Sequence, residues 1–262
     1  MESHQEILKI NRQRWNAQVA EGNRWTLPVT SEQVAAARKG QWEIVLTPCK
    51  PVPRDWFPDF RQQTTKLLCL AGAGGQQAPI LAAAGAQVTV LDNSDAQLDQ
   101  DRMVAQREGL NIETVMGDMC QLDCFEDESF DMVVNPCSNC FVSNVRPVWN
   151  EAFRVLKTGG SLMTGFTNPI RYIFDDELLE TGQMIVAYKI PYSDLEDLSE
   201  EQQKRFAQKN EPLAFGHSLE DQIGGQLDAG FSICNFFEDC YERDDALSQH
   251  INTFIATRAL KL

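Results

Sequence analysis

The stretch Lys66-Leu-Leu-Cys-Leu-Ala-Gly-Ala-Gly-Gly-Gln-Gln77, followed by Val88-Thr-Val-Leu-Asp92, leaves few folds open to this chain. An apolar run of strand length enters a turn of small residues. A segment suited to a helix follows, and a second apolar run ends in a carboxylate. Small side chains let a backbone turn approach a ligand, and an acid at the next strand end can hold both ribose hydroxyls. The expectation is an α/β sheet that carries a nucleoside-bearing cofactor.

The rhythm continues downstream. Strands are expected at 66–71, 87–91, 112–116, 129–134 and 161–166, alternating with helices near 76–84, 94–107 and 145–156. Gly85 and Gly109 stop the first two helices, and Lys157-Thr-Gly-Gly160 stops the third. This spacing means a parallel sheet with helices on both faces. A helix over 218–229 and strands at 231–237 and 252–258 complete the core. Between those strands, Glu238, Asp239 and Glu242 to Asp245 read as too polar for a core. Residues 170–216 break the rhythm and read as an insertion over the open end of the sheet. Within it, Met184–Ile190 looks like a strand, and Asp194–Glu201 is heavily charged.

Ahead of the core, apolar positions at Ile7, Leu8, Ile10, Trp15 and Val19 predict an amphipathic helix over 3–21. Ser3 and Glu6 offer a capping box for it. A shorter helix is expected over 31–40. Four prolines between Pro48 and Pro58 then impose an extended linker. Four of the five tryptophans (Trp15, Trp25, Trp42, Trp56) fall in these first sixty residues. So short a segment cannot bury them alone. Residues 1–62 are therefore expected to dock as a cap on a core spanning 63–262, with one or two of the rings lining a pocket.

A formal net charge of -15 repels phosphate backbones and anionic lipid heads, which argues against a nucleic-acid partner. No apolar run reaches the about 18 residues that read as a membrane span, and the first residues lack a signal-peptide core. A cytoplasmic protein is expected. The eight cysteines read as reduced thiols. Cys137-Ser-Asn-Cys140 and the Cys120/Cys124 pair raise a zinc site, but no His lies close, and no metal is expected. Nothing in the sequence reports the oligomeric state.

A dinucleotide loop started at Gly72 fails at Gln77, where close helix–strand packing wants Gly or Ala. A Walker loop fails for want of Lys-Ser/Thr after the glycines. No Lys or Arg stands near to meet a pyrophosphate. The turn suits a nucleoside without phosphates, and a nicotinamide oxidoreductase is the less favoured reading.

Counted from Ala71, the turn resembles the first motif of class I S-adenosylmethionine-dependent methyltransferases. There a strand ends in an acid, one further residue, then Gly-x-Gly-x-Gly. Here Ala71, Ala73 and Gly75 fill the glycine positions, two sterically mild exchanges, and Cys69 fills that of the acid. Asp92 resembles the acid that holds the ribose. Gly117-Asp118-Met119 resembles the turn whose acid meets the adenine amine and whose next residue packs on the ring. Ser129-Phe-Asp131, Arg154-Val-Leu-Lys-Thr-Gly-Gly160 and Leu227-Asp-Ala-Gly-Phe231 resemble the lead-ins to strands four, five and six. Gln76-Gln77 and Asp92-Asn-Ser94, with the first seventy residues, are similar to a bacterial subgroup of uncharacterised, small-molecule-type methyltransferases. In that subgroup strand four tends to end His-Pro-x-Ser-Asn-x-Phe; here it reads Asn135-Pro-Cys-Ser-Asn-Cys-Phe141.

The resemblance implies a Rossmann-like seven-stranded, mostly parallel sheet with an antiparallel last strand. It implies S-adenosylmethionine held by Ala71, Gly72, Ala73, Gly75, Gln76, Gln77, Asp92, Asn93, Ser94, Gly117, Asp118, Met119, Asn135 and Pro136. It implies methyl transfer to a small molecule. The alternative is a non-catalytic binder of the same cofactor, motivated by Cys69. With the acid absent, the cofactor's amino-acid end falls to Gln76, Gln77 or the cap. Catalytic candidates are Asn135, at the tip of strand four, and His217, where the insertion rejoins the core. Either can equally be structural, Asn135 as a turn cap and His217 as a surface or capping residue.

Overall fold

A computed structural model describes residues 3–241 and 245–262. Ser3 caps α1 (His4–Glu21) through the expected reciprocal box. Its hydroxyl accepts the Glu6 amide, and the Glu6 carboxylate accepts the Ser3 amide at 2.8 Å. Thr30 and Gln33 repeat the device at α2 (Ser31–Arg38). The proline-rich linker then runs extended, with one bridge between Val45 and Pro51 and a 3-10 turn at Arg54–Trp56.

The core follows as β1 (Lys66–Leu70), α3 (Gln77–Ala84), β2 (Gln87–Asp92), α4 (Asp95–Glu108), β3 (Ile112–Met116), β4 (Phe130–Asn135), α5 (Arg146–Val155) and β5 (Leu156–Thr167). Gly85 and Gly109 end their helices at φ 115° and 63°, the left-handed turn that a Cβ disfavours. The insertion holds α6 (Asp176–Glu180), β6 (Tyr192–Ser193), α7 (Asp194–Asp197), α8 (Glu200–Gln208) and β7 (Phe215–Gly216). Its two short strands pair with each other, apart from the main sheet. The helix expected over 218–229 starts as a π-turn at Glu220–Gly224 and ends as α9 (Gly225–Asp228). β8 (Phe231–Asp239) and β9 (Phe254–Lys261) close the chain.

The seven-stranded sheet runs β3-β2-β1-β4-β5-β9-β8, with β9 antiparallel to both its neighbours. Alternation along each strand sends Leu67, Cys69, Val88, Val90 and Val134 to one face. Leu68, Leu70, Leu91, Val133 and Leu162 go to the other, against Trp149 of α5. Trp56, Phe57 and Phe60 of the linker pack on the first face and extend its core.

Two expectations need correction. Met184–Ile190 is not a strand. Only Val186 makes a bridge, to Phe174, and its side chain is 65% exposed. The run is apolar but has no neighbouring strand to pair with, and β-propensity acts through such neighbours. Glu238 and Asp239 are not loop residues, since they finish β8. Asp239 is buried and accepts the Thr47 hydroxyl (2.8 Å) and the amides of Cys49 (2.9 Å) and Lys50 (2.8 Å), so its charge is met by donors of the linker. Glu242 to Asp244 lie outside the described residues.

Candidate active site

A cavity of about 280 Å³ opens at the carboxyl ends of β1, β2 and β4. In an open α/β sheet that crevice, where the strand order reverses, is where ligands settle. Its floor is the turn after β1. Ala71 and Ala73 lie at φ 49° and 53°, and Gly75 at 77°. All three positions where glycine was expected are thus left-handed. Alanine fits there, but at about 1–2 kcal/mol of backbone strain per residue, so the exchanges are less mild than their size suggests. Gly74 has no latitude at all. A Cβ there would lie 2.3 Å from Gln97 Oε1 and 2.6 Å from the Gln97 carbonyl oxygen.

Cys69, at the position of the missing acid, is wholly buried, and burial pushes its thiol up. A carboxylate reaches the turn from elsewhere. Asp101 of α4, 1% exposed, accepts the Gly75 amide at 2.9 Å. Burial pushes it up to about 7, against the pull of that hydrogen bond, and the Asp92 charge adds to the rise. One turn earlier Gln97 lines the cavity, 4% exposed, and its Oε1 has no hydrogen-bond partner. Sequence reasoning missed both. The available signal was their i, i+4 spacing after the Ser94 cap, which puts two polar side chains on the buried face of α4.

Asp92 ends β2, accepts the Ser94 amide at 2.8 Å, and is pushed up to about 7 by burial. Asp118 accepts the Cys120 amide at 2.9 Å and sits 2.5 Å from His4 Nε2, which arrives from the first turn of α1. Ala71, Ala73, Gln76, Gln77, Asp92, Asn93, Gly117, Asp118, Met119 and Pro136 all line the cavity; Gly72, Gly75, Ser94 and Asn135 do not. Asn93 and Ser94 serve the roof. The Asn93 amide donates to the Leu8 carbonyl (2.8 Å), and the Ser94 hydroxyl donates to Asn16 Oδ1 (2.6 Å).

Neither catalytic candidate reaches the cavity wall. Asn135 is 0% exposed. Its Nδ2 donates to the Leu70 carbonyl (3.1 Å) and the Ser138 hydroxyl (2.9 Å), while its Oδ1 accepts the Thr164 hydroxyl (3.0 Å). With its polar atoms engaged, it locks β4 to β1 and β5. His217 is buried with Nε2 3.1 Å from the Asn139 carbonyl oxygen, and burial lowers its pKa. The wall near strand four is made instead by Pro136, Cys137, Ser138 and Cys140. A hydrogen bond from Cys140 pulls the Cys137 pKa down and pushes that of Cys140 up.

The roof comes from the first fifty residues. Leu8, Asn11 and Trp15 of α1, with Trp25 and Val45–Pro48, close the cavity. Trp15 meets Phe141 edge-on at 5.1 Å, and Trp25 tilts against Tyr241 at 6.3 Å. Trp42 and Trp56 pack instead against Phe57, Phe60 and Phe237. Asn11 pins the roof. Its Nδ2 donates to the carbonyls of Phe141 (3.0 Å) and Leu213 (3.1 Å), and its Oδ1 accepts the Leu213 amide (2.7 Å). Gln76 reaches the Leu27 carbonyl at 3.0 Å, and Gln77 accepts the Val45 amide at 3.4 Å, so both also tie the turn to the roof.

A methyltransferase-domain family model matches residues 68–164. Over 256 residues the chain is 52% identical to an uncharacterized methyltransferase, YbaJ, of Bacillus subtilis, covering 98% of this chain and 99% of that relative. The chain belongs to the class I S-adenosylmethionine-dependent methyltransferases. A sterol 24-C-methyltransferase of Gibberella zeae is 36% identical over 91 residues, which cover 34% of this methyltransferase and 24% of that relative. An S-adenosylmethionine-dependent methyltransferase from Mesorhizobium loti shares the fold, with a TM-score of 0.61 at 17% identity, covering 79% of this chain and 94% of that one.

The cavity of this methyltransferase suits such a cofactor. Among the described residues no Lys or Arg lines it, so it offers nothing to a pyrophosphate. It offers acceptors instead: two carboxylates and the orphaned Gln97 oxygen, which call for hydroxyl and ammonium donors. Among the described residues no helix is long and apolar enough to cross a membrane.

Proposed function

We propose that this methyltransferase transfers a methyl group from S-adenosylmethionine to a small-molecule acceptor by in-line displacement. The reaction would take place beneath a cap made of residues 1–62 and beside the 170–216 insertion. The observation that carries this reading is the cavity's lining: part-buried carboxylates at or just past two strand ends and, among the described residues, no Lys or Arg in the wall. In this reading Asp92 holds the ribose hydroxyls, Asp118 meets the adenine amine once His4 releases it, and Met119 packs on the ring. The Ala71–Gln77 turn, steadied by Asp101, takes the amino-acid end, and the Gln97 oxygen receives one of the cofactor's donors.

The cofactor supplies a methyl group on a sulfonium, an electrophile with a good leaving group. The protein's task is then to position the acceptor and exclude water. Trp15, Phe141, Leu46 and Met119 make that region apolar. With Asn135 and His217 off the wall, neither is assigned as a base. Cys137 and Cys140, in the turn after β4, both line the cavity, and the hydrogen bond between them lowers the Cys137 pKa.

Calorimetry tests the reading. S-adenosylhomocysteine should give a saturable heat that Asp92→Ala abolishes, and a nicotinamide dinucleotide should give none. Dinucleotide binding without S-adenosylhomocysteine binding would refute it. Turnover on a panel of amines, phenols, thiols and carboxylates then identifies the acceptor class.

A further inference from the structure

A second cavity, of about 620 Å³, adjoins the first and shares Trp15, Trp25, Cys140, Phe141, Thr167 and Tyr241 with it. A molecule meeting a methyl group in the first cavity would approach through the second. Its remaining walls belong largely to the insertion, and they combine two properties.

The first is aromatic surface. Tyr172 stacks on Tyr192 at 5.5 Å and 23°, and Tyr188 tilts against the same ring at 5.2 Å. Trp15 and Phe141 stand at the shared boundary. The faces of such rings carry the negative end of a quadrupole and attract cations.

The second is an excess of carboxylates. Asp175, Asp176, Glu177, Glu180, Asp194, Glu211 and Asp245 line this cavity, against the cations Arg171 and Lys209 among the described lining residues. Arg171 is already engaged, with Asp245 at 2.9 Å and Asp176 at 3.4 Å. Glu177 is met by Arg205 from behind the wall, at 2.9 and 2.6 Å. Asp175 is held by neutral donors: the Leu178 amide (3.0 Å), the Gln202 amide (3.3 Å) and the Tyr188 hydroxyl (3.5 Å). Asp194 is buried against the Tyr192 hydroxyl (2.8 Å) and the Ala214 amide (2.7 Å), and burial pushes it up to about 6. Carboxylates this crowded repel one another and any anion, and a cation relieves them.

We infer that this second cavity selects a cationic amine with an aromatic or apolar body, and that such an amine is the methyl acceptor, a reading that rests on methyl transfer as proposed above. The ammonium docks against the carboxylates with its body along the tyrosines. Before reaction it gives one proton to a lining carboxylate and so frees its lone pair. The nitrogen–carbon bond then forms as the carbon–sulfur bond breaks, sulfur keeping the electron pair. The product leaves as the methylated ammonium.

Three probes of similar shape test the selectivity on the full chain: 2-phenylethylammonium, 2-phenylethanol and 3-phenylpropanoate. Tryptophan fluorescence reads their binding, and S-adenosylhomocysteine is titrated separately by calorimetry. The ammonium should bind about tenfold or more tightly than the alcohol, with the propanoate weakest. Added salt should narrow the gap, as should the rim substitutions Asp176→Asn and Glu180→Gln, while the S-adenosylhomocysteine heat is unchanged. No saturable ammonium binding, equal binding of the alcohol, or a preference indifferent to both substitutions would overturn the inference while methyl transfer stood. An intact ammonium preference without an S-adenosylhomocysteine heat would overturn methyl transfer and leave the cation selectivity in place.

Discussion

Restoring glycine at Ala71 and Ala73 should stabilise the protein, although it removes atoms and adds no contact. Both residues hold φ near 50°. For a residue with a Cβ that region costs about 1–2 kcal/mol relative to its preferred backbone, and glycine is free of the penalty. Against this, glycine gives the unfolded chain more freedom, which lowers stability by about 0.4–1 kcal/mol. The difference leaves a gain of about 0.5–1 kcal/mol per site. Both alanines are only partly buried, so little apolar area is lost with the methyls. For a chain of this size the pair should raise the melting midpoint by about 2–5 °C. Urea unfolding of Ala71→Gly, Ala73→Gly and the double variant checks the sum, at an unchanged m-value. The opposite exchange is the control. Gly75→Ala meets the same penalty at φ 77°, and its Cβ would lie 2.9 Å from Pro28 Cβ, so it should destabilise by about 2 kcal/mol or more. A double glycine variant no more stable than the parent would refute the strain argument.

Three further outcomes are expected. Asp92 and Asp101 stand near 7 when folded and about 4 when unfolded, so the fold favours their protonated forms, and that contribution is full below pH ~4 and lost as pH rises through ~7. The unfolding free energy of Asp92→Asn should therefore gain on the parent as pH rises from about 4 to about 7, by about 1.4 kcal/mol per pH unit at most, and the parent's S-adenosylhomocysteine affinity should rise as pH approaches and passes ~7, where the carboxylate assigned to the ribose ionises. Asn11→Ala leaves the buried Leu213 amide and two carbonyls without their partner, which should cost about 2–4 kcal/mol in urea unfolding and speed hydrogen exchange at Leu213. Iodoacetamide followed by peptide mapping should label Cys137, which lines the cavity, with protection by S-adenosylhomocysteine, and should leave the buried Cys69 unmodified.

The sheet was legible because its punctuation is local. Gly85 and Gly109 end helices by their own backbone preference, and Asp92 and Asp118 mark strand ends within a few residues of an apolar run. The misreadings share a different cause. Asp101 meets the Gly75 amide from 26 positions away, and nothing in either local stretch announces the pairing. Asn135 has the right address, the tip of β4, but its three bonds turn it into the lattice, a choice set by Leu70, Ser138 and Thr164 together. Met184–Ile190 has the composition of a strand, but its pairing stops at a single bridge, Val186 to Phe174. The tryptophans divide by the same rule. Their crowding in the first sixty residues predicts docking, whereas which rings face the cavity depends on where α1 lands.

Where α1 lands is in turn set at the turn that carries Asp92. The three residues after that acid all bind the helix: Asn93 at the Leu8 carbonyl, Ser94 at Asn16, and Asp95 at Arg12 (3.0 Å) and Asn16 (2.9 Å). His4 adds a bond to Asp118, at the end of the neighbouring strand. The roof is thus fastened through polar contacts to the two turns assigned to the ribose and the adenine, while its apolar side chains, Leu8 and Trp15, face the cavity. Polar fastenings of this kind exchange readily with water, unlike a packed apolar seam. A ligand that takes Asp118 from His4 must loosen the first turn of α1. A ligand that orders the Asp92 turn gives Asn93, Ser94 and Asp95 a fixed platform on which the helix can close. On the proposed reading, cofactor binding and the docking of α1 are then coupled through the polar contacts of two turns with one helix.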